Sequence, residues 1–278
     1  MDEKIQKVLA RAGYGSRREI ETWIEQGRIK VNRQTAKLGD RISIEDFVQL
    51  DGKPLTRLNK TVSNRVIAYH KPVGEICSRN DPEGRPTIFK NLPEVHNSRW
   101  ITVGRLDYNT SGLILLTTDG ELANKLMHPS QEVEREYAVR ILGQVSNETL
   151  QQLQQGVELE DGMARFDRIL DSGGQGSNHW YHVLLKEGRN REVRRLWEAV
   201  GLTVSRLSRI RYGNIELGRQ LKSGHTADIQ GAELKKLYEL AGLTLPETII
   251  KKKKSVYRSK TQQKKSTSNP KSKWRKHS

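Results

Sequence analysis

The chain has 278 residues, of which 34% are hydrophobic, and its formal net charge is +16 at pH 7. These values predict one or two domains with an ordinary core, and they favour a polyanionic partner. The single cysteine, Cys77, excludes an intrachain disulfide and a thiolate zinc cluster. Because no segment has the apolar run of a signal peptide or a membrane span, we expect a cytoplasmic protein without membrane contact.

The positive charge lies mainly at the two ends of the chain. Residues 1–60 hold 13 basic and 9 acidic side chains, and residues 61–250 hold 24 of each. Residues 251–278 hold 12 basic and no acidic side chains, and they have too few apolar groups to fold alone. We expect a disordered arm that strengthens binding to the phosphates of a polyanion, with a tail that merely aids solubility as an equal alternative.

The first 60 residues predict a compact module of two helices and a basic strand. Apolar residues recur at helical spacing in residues 5–12, and Ser16 with Glu19 fits a capping box that starts a second helix. Residues 28–31 alternate as in a strand. The basic residues expected to remain outside are Arg17, Arg18, Arg28 and Lys30. The polar residues 51–64 are typical of a linker, so we place a domain boundary near residue 60.

Residues 61–250 mix strand and helix signals without regular alternation. Strands are predicted at residues 66–69, 101–103, 113–118 and 137–142, and helices at residues 121–127, 147–155, 191–200 and 233–240. This irregular order favours an α+β fold over a doubly wound sheet. The glycine-rich residues 173–176 are predicted to form a flexible loop.

A polar turn at residues 103–112 joins a short β-branched run to a continuously apolar one. It places Asp107 and Arg105 at the edge of a predicted buried strand, where catalytic residues are often held on a rigid scaffold. The alternative is a turn aspartate that accepts backbone N–H bonds.

Four blocks in chain order resemble the motifs of the pseudouridine synthases. They are residues 69–74 with 81–87, residues 103–112, residues 134–139 and residues 186–196. The N-terminal module resembles the small RNA-binding domain first known from ribosomal protein S-four, which implies that its outward basic residues contact RNA phosphates. These residues are Arg17, Arg18, Arg28 and Lys30. This layout is similar to the ribosomal-RNA branch of the family, typified by the small-subunit synthase A, and residues 118–136 and 187–200 look most like its large-subunit members. The resemblance implies a mainly antiparallel sheet with a central cleft.

The resemblance also implies a reaction and the residues that perform it. The expected enzyme is an isomerase that converts a specific uridine of large-subunit (23S) ribosomal RNA, or of its precursor particle, to pseudouridine. Asp107 matches the catalytic carboxylate, and Tyr137 matches the tyrosine that stacks on the flipped-out base. The reaction needs neither a metal nor an organic cofactor. A monomer is expected.

A carboxylate that stays ionised in a site without water needs a cation beside it. The resemblance makes Arg194 the arginine partner of Asp107, and we rank it above Arg105; a phosphate contact is the alternative for Arg194. The remaining residues expected to contact RNA around the cleft are Lys71, Arg105, Arg189, Arg191 and Arg195.

Three other functions stay open at this point. One is a noncatalytic RNA-binding assembly factor on the same scaffold, and another is the same chemistry on a different RNA. The third is a metal-dependent nuclease that uses Asp107 and Asp119, which is weak because no further ligands cluster around them in the sequence.

Overall fold

The computed structural model describes residues 2–43, 45–56, 58, 64–175 and 177–246. The predicted basic tail, residues 251–278, lies outside the described residues. The N-terminal region contains β1 (Glu3–Lys4), α1 (Ile5–Arg11), α2 (Arg17–Glu25), β2 (Ile29–Val31), β3 (Gln34–Thr35), β4 (Arg41–Ile42), β5 (Val48–Leu50) and β6 (Lys53–Pro54).

The N-terminal region follows the predicted order of two helices and a strand. The Ser16 hydroxyl accepts from the Glu19 N–H, and the Glu19 carboxylate accepts from the Ser16 N–H, each at 3.1 Å, so the predicted capping box is confirmed. Ile5 and Ile20 from the two helices are fully buried in a common core with Ile29 of β2. Strands β3, β2, β5 and β6 form a four-stranded sheet in that order.

The predicted linker begins later than residue 51. Asp51 and Gly52 have positive φ angles of 51° and 75° and form the turn between β5 and β6, so Lys53–Pro54 is a strand rather than a linker. Asp51 also receives two hydrogen bonds from Arg28, at 2.9 and 2.6 Å. The boundary that we place near residue 60 falls among residues 59–63, outside the described part of the chain.

The larger region contains most of the strands. Its elements are β7 (Val66–Lys71), β8 (Ile101–Val103), β9 (Ser111–Thr117), α3 (Gly120–Met127), β10 (Arg135–Leu142), α4 (Asn147–Gln155), β11 (Val157–Leu159), β12 (Gly162–Ala164), β13 (Arg168–Gln175), β14 (Asn178–Leu185), α5 (Glu192–Ala199), β15 (Val204–Tyr212), β16 (Ile215–Glu216), β17 (Thr226–Asp228) and α6 (Gly231–Leu240).

One long sheet organises this region, in the order β13-β14-β10-β15-β9-β7-β17, with β16 beside β15 and β8 beside β9. Among the described strands of this sheet, only β9 and β15 pair in parallel, through Ser111 with Ser208 and Gly112 with Arg209. The other pairings are antiparallel. The α+β class and the largely antiparallel sheet are therefore as predicted.

The glycine-rich segment is part of a strand, contrary to the prediction of a flexible loop. Gly174 and Gln175 belong to β13 and pair with His179 and Asn178 of β14, after a bulge that follows Asp171. A Cβ atom at Gly174 would clash with the main chain of Asn178 and His179. Glycine is therefore needed there for close strand packing.

Helix α5 is fixed to one face of the sheet by aromatic packing. Trp197 is fully buried, and its ring lies 5.4 Å from the ring of Tyr181 on β14 and 5.7 Å from that of Phe166. Burying each such side chain stabilises the fold by roughly 1.5–3 kcal/mol. The loop that precedes α5, residues 186–191, is therefore attached to a rigid support.

Candidate active site

The loop that carries Asp107 connects β8 to β9 and is held by a buried lysine. Lys71, at the end of β7, has no exposed surface. Its ammonium group donates to the main-chain carbonyls of Pro72, Asp107 and Thr110 at 2.9, 3.0 and 2.8 Å. An ammonium has three N–H donors, so all of them are used. Burial lowers the pKa of Lys71, and the charges of Cys77, Glu75 and Asp107 oppose that shift.

The carbonyls of Tyr108 and Asn109, which lie between those of Asp107 and Thr110, are also hydrogen-bonded. The N–H of Gly74 donates to the carbonyl of Tyr108 at 3.0 Å, and the Arg194 guanidinium donates to that of Asn109 at 2.9 Å. Each carbonyl from residue 107 to residue 110 therefore has a donor from outside the turn. This arrangement fixes the backbone under the Asp107 side chain.

Gly112 lets the start of β9 approach β15 closely. Its φ angle is +107°, and a Cβ atom there would clash with the main-chain nitrogen and oxygen of Arg209. A side chain at this position would push the two parallel strands apart. The glycine of the motif is therefore required by the strand pairing next to Asp107.

Asp107 opens into a cleft of about 990 Å³, which is large enough for a nucleotide. Its walls include Asp107, Arg105, Tyr137, Leu207 and Arg209. The Asp107 carboxylate has no hydrogen bond or ion pair with any described residue, so its acceptor positions are available to a ligand. The prediction that Asp107 faces a groove is consistent with this geometry.

Tyr137 and Arg209 face the same cleft from neighbouring strands. They are directly paired across β10 and β15, and side chains of paired residues lie on the same face of a sheet. Tyr137 is 9% exposed and contributes to the cleft wall. The structure thus brings Tyr137 and Asp107 to one cavity, although they are on different parts of the sheet.

The expected ion pair between Arg194 and Asp107 is not formed. The Arg194 guanidinium donates to the carbonyls of Val204 and Asn109, at 3.0 and 2.9 Å, and it is not part of the cleft wall. Burial lowers the pKa of Arg194, whereas the charge of Asp107 favours its protonated form. Arg194 therefore attracts Asp107 from a distance, and its direct contact is with the backbone of the Asp107 turn.

Four of the predicted RNA-contacting residues are exposed and form no ion pair, and a fifth is exposed and close to one carboxylate. Arg17, Arg18, Lys30 and Arg105 are exposed and form no ion pair with a described residue. Arg18 and Arg105 also line the cleft, within the compact unit Met1–Thr244. Arg191 lines it as well and lies 3.7 Å from Glu198. Arg18, Arg105 and Arg191 thus give the cleft that contains Asp107 a basic lining.

The other predicted RNA-contacting residues have their donors engaged within the protein. Arg189 donates to the Glu187 carboxylate and to the carbonyls of residues 161–163. Arg195 binds both carboxylate oxygens of Asp161, at 2.8 and 2.9 Å. Arg28 is paired with Asp51 in the same bidentate way. Lys71 is a correction to the prediction, because a fully buried ammonium with three carbonyl partners has no donor left for a phosphate.

Two buried arginines of the cleft are not among the residues predicted to contact RNA. Arg135 is 8% exposed and donates to the carbonyls of Val133 and Lys186, at 2.9 and 2.6 Å. Arg209 is 2% exposed. A usable signal was present for Arg209, since strand alternation in β15 places it on the same face as the apolar Leu207, where a cation is unusual.

Glu192 stabilises the loop that precedes α5, residues 186–191. It is 3% exposed, and its carboxylate accepts from the N–H of Arg189 at 2.9 Å. Burial, together with hydrogen bonding to the neighbouring Glu187 carboxyl, raises the pKa of Glu192 to about 7. The carboxyl therefore changes charge near neutral pH beside the loop that carries Arg191.

The nuclease alternative finds little support in the position of Asp119. Asp119 caps α3 by accepting from the N–H groups of Glu121 and Leu122, and it also accepts from the Tyr238 hydroxyl at 2.9 Å. Within the part of the chain that the structure describes, no group of three or more His, Cys, Asp or Glu residues is arranged to hold a metal ion. No described helix is long and apolar enough to cross a membrane.

Comparison with known proteins agrees with this architecture. The family model for RNA pseudouridylate synthase matches residues 65–199, and the model for the S4 domain matches residues 3–48. Ribosomal large subunit pseudouridine synthase B of Escherichia coli (strain K12) is 58% identical over 254 residues, which cover 90% of this chain and 87% of the relative. This chain belongs to the RNA pseudouridylate synthase family.

Further relatives agree with that assignment. The synthase of the same name from Yersinia pestis is 56% identical over 255 residues, covering 90% of this chain and 80% of its own. A solved structure of a pseudouridylate synthase superposes with a TM-score of 0.60 at 26% identity, covering 84% of this chain and 99% of that one. The family and the N-terminal RNA-binding module that the motifs predict are confirmed.

Proposed function

We propose that this chain converts one specific uridine of large-subunit (23S) ribosomal RNA to pseudouridine, with Asp107 as the catalytic carboxylate. The observation that carries the proposal is the Asp107 carboxylate, which lies in a nucleotide-sized cleft without a protein partner. The large-subunit substrate is supported by relatives at 56–58% identity that are named for that activity.

The reaction is an isomerisation in which atoms are conserved. The N1–C1′ bond breaks, and its electron pair leaves with the uracil ring. Asp107 either adds to C1′ or takes the proton from the neighbouring C2′, and the ring turns within the cleft. C5 then bonds to C1′, while the bond from Asp107 to C1′ breaks or the C2′ proton is returned. The proton lost from C5 is balanced by one gained at N1, so no oxidant or reductant takes part. A carboxylate suits both routes at the sugar carbon.

The rigid turn under Asp107 supports this role. Because its four carbonyls are held from outside, the carboxylate needs little reorganisation when a sugar carbon arrives. Extruding a uridine from folded RNA costs roughly a few kcal/mol of stacking energy. Stacking on the ring of Tyr137 would offset part of that cost.

Phosphate contacts are assigned to the exposed cations. We place Arg17, Arg18 and Lys30 on the phosphates held by residues 1–60, and Arg105 and Arg191 on those around the cleft of residues 61–250. Arg28, Arg189 and Arg195 would contribute after exchanging their present carboxylate partners. The protein acts as a cytoplasmic monomer on ribosomal RNA or its precursor particle.

The test compares wild type with Asp107→Asn on deproteinised large-subunit RNA and on precursor particles, followed by site mapping of pseudouridine. Wild type should modify one uridine, and Asp107→Asn should modify none while keeping its RNA affinity and melting temperature. Asp167→Asn is the matched control, because Asp167 is exposed and unpaired. RNA binding without product in wild type would instead support the noncatalytic assembly factor, and equal product from both proteins would reject Asp107.

A further inference from the structure

Arg209 is a buried cation whose hydrogen-bonding capacity is largely unused. It is 2% exposed, and its Nε donates to the carbonyl of Leu113 at 2.7 Å. Neither terminal nitrogen has a hydrogen-bond partner among the described residues, and Nη2 is fully buried without one. Burying a charge without partners costs several kcal/mol, so we expect another contact to compensate for the desolvation of this guanidinium.

The protein itself supplies only weak compensation. The guanidinium carbon of Arg209 lies 5.1 Å from the centre of the Tyr212 ring, and no carboxylate of a described residue is within ion-pair distance. A cation over an aromatic ring gains about 0.5–2 kcal/mol, which is less than the cost of desolvating the ion. Arg135 contacts the same ring at 5.3 Å, but its Nη1 is bound to two carbonyls.

The position of Arg209 links the two parts of the proposed active site. On one side it is paired with Tyr137 of β10, and on the other with Gly112 of β9, the strand that the Asp107 turn enters. Its hydrogen bond to Leu113 ties the guanidinium to that strand. A base stacked on Tyr137 with its sugar at Asp107 would therefore lie next to the cation in the cleft wall.

We propose that Arg209 is a further catalytic residue, which binds a carbonyl oxygen of the extruded uracil and stabilises the anion formed when the N1–C1′ bond breaks. The inference rests on the proposed isomerase activity. The departing electron pair is shared among N1, O2 and O4 of the ring. The negative charge disappears when C5 bonds to C1′, and the C5 proton that is lost afterwards is matched by one gained at N1. Arginine stays protonated throughout, so it contributes charge and N–H donors and transfers no proton.

The first experiment measures single-turnover pseudouridine formation by Arg209→Gln and Arg209→Lys. Removing one donor to a developing anion lowers rates by about 100- to 1,000-fold in other enzymes, and we expect a loss of that order for Arg209→Gln with a much smaller change in RNA affinity. Arg209→Lys should recover part of the rate. Arg206→Gln is the matched control, since Arg206 is an exposed cation on the same strand.

The second experiment separates contact with the base from a structural role. Target RNAs carry 2-thiouridine or 4-thiouridine at the modified position, because sulfur is a poorer hydrogen-bond acceptor than oxygen. One of the two substitutions should slow wild type more than it slows Arg209→Gln. If both substitutions slow the two proteins by the same factor, Arg209 has only a structural role and the inference is wrong.

Two further outcomes are distinguishable. Wild type that forms no pseudouridine would defeat the proposed function, whereas active wild type with an unimpaired Arg209→Gln would defeat only the role of Arg209. If Arg209→Gln does not fold, the thiouridine comparison is made with Arg209→Lys, which keeps the charge against Tyr212. The same difference in sensitivity to one thio substitution is then expected, and its absence rejects the inference.

Discussion

The Lys71 ammonium donates to the main-chain carbonyl of Asp107 at 3.0 Å and not to its carboxylate. A buried cation close to an aspartate would ordinarily be expected to form an ion pair with its carboxylate. Here the lysine holds the backbone instead, so the carboxylate remains free toward the cleft. Lys71 thus fixes the position of the Asp107 backbone without occupying the Asp107 carboxylate.

We predict that Lys71→Met lowers the single-turnover rate by about 100-fold, because a shift of about 1 Å in a reacting group costs that much. The carbonyls of Asp107 and Thr110 would lose their donor. RNA affinity should change little, since Lys71 is buried. Lys53→Met, at an exposed position, is the control. A large loss of RNA affinity with an unchanged rate would show that Lys71 contributes to RNA binding after all.

We predict that Gly112→Ala destabilises the protein more than Gly39→Ala does. Both glycines have strongly positive φ angles, +107° and +97°, but a Cβ at Gly39 meets no atom within 4 Å, whereas one at Gly112 clashes with Arg209. Backbone strain costs about 1–3 kcal/mol at either site, and overpacking adds roughly 1–3 kcal/mol at Gly112 alone. Urea unfolding measures the free energy of unfolding of each variant. Equal losses would show that β9 and β15 separate without cost.

We predict that Glu192→Gln raises the melting temperature more at pH 8 than at pH 5. The raised pKa of Glu192, about 7, means that the folded state holds an extra proton between about pH 4.5 and pH 7. Stability contributed by this group is therefore present at low pH and lost as the pH rises through 7. Glutamine does not titrate, so Glu192→Gln does not lose this stability as the pH rises.

The control for this pH dependence is Glu160→Gln, because Glu160 is exposed. Its effect on the melting temperature should be similar at the two pH values. A difference between wild type and Glu192→Gln that is the same at pH 5 and pH 8 would contradict the assignment of the raised pKa to Glu192.

We predict that removing residues 251–278 weakens binding to ribosomal RNA and flattens its salt dependence. The segment contributes 12 basic side chains, and each phosphate contact adds to the slope of log K against log salt. The rate at saturating RNA should stay the same. A Gly/Ser segment of equal length is the control for chain length. An unchanged salt slope would assign the tail to solubility.

Local patterns predicted the elements of the fold well. The capping box at Ser16 and Glu19 and the helix at Asn147–Gln155 follow from signals within a few neighbouring residues. The glycine-rich residues 173–175 were misjudged because their strand depends on pairing with β14. Composition alone gives no indication of that pairing.

The candidate site shows the same division between local and long-range information. Asp107 and Tyr137 were recognised from their motifs, and both line the cleft. Lys71 and Arg194 were predicted to have other partners, and the partner of Arg209 was not predicted, since each contact depends on strands that meet only in the folded sheet. The charge of a motif residue indicates that the residue has a structural or functional role, but the sequence does not indicate which atom the side chain binds.

The parallel pairing of β9 with β15 has a consequence for protein synthesis. Arg194 holds a carbonyl 85 residues earlier in the chain, and Arg209 holds one 96 residues earlier. On the ribosome, Asp107 emerges long before either arginine leaves the exit tunnel. A nascent chain that ends before β15 contains Lys71 and Arg194 but lacks Arg209 and the parallel partner strand of β9, so the cleft that contains Asp107 is completed only after β15 has left the ribosome.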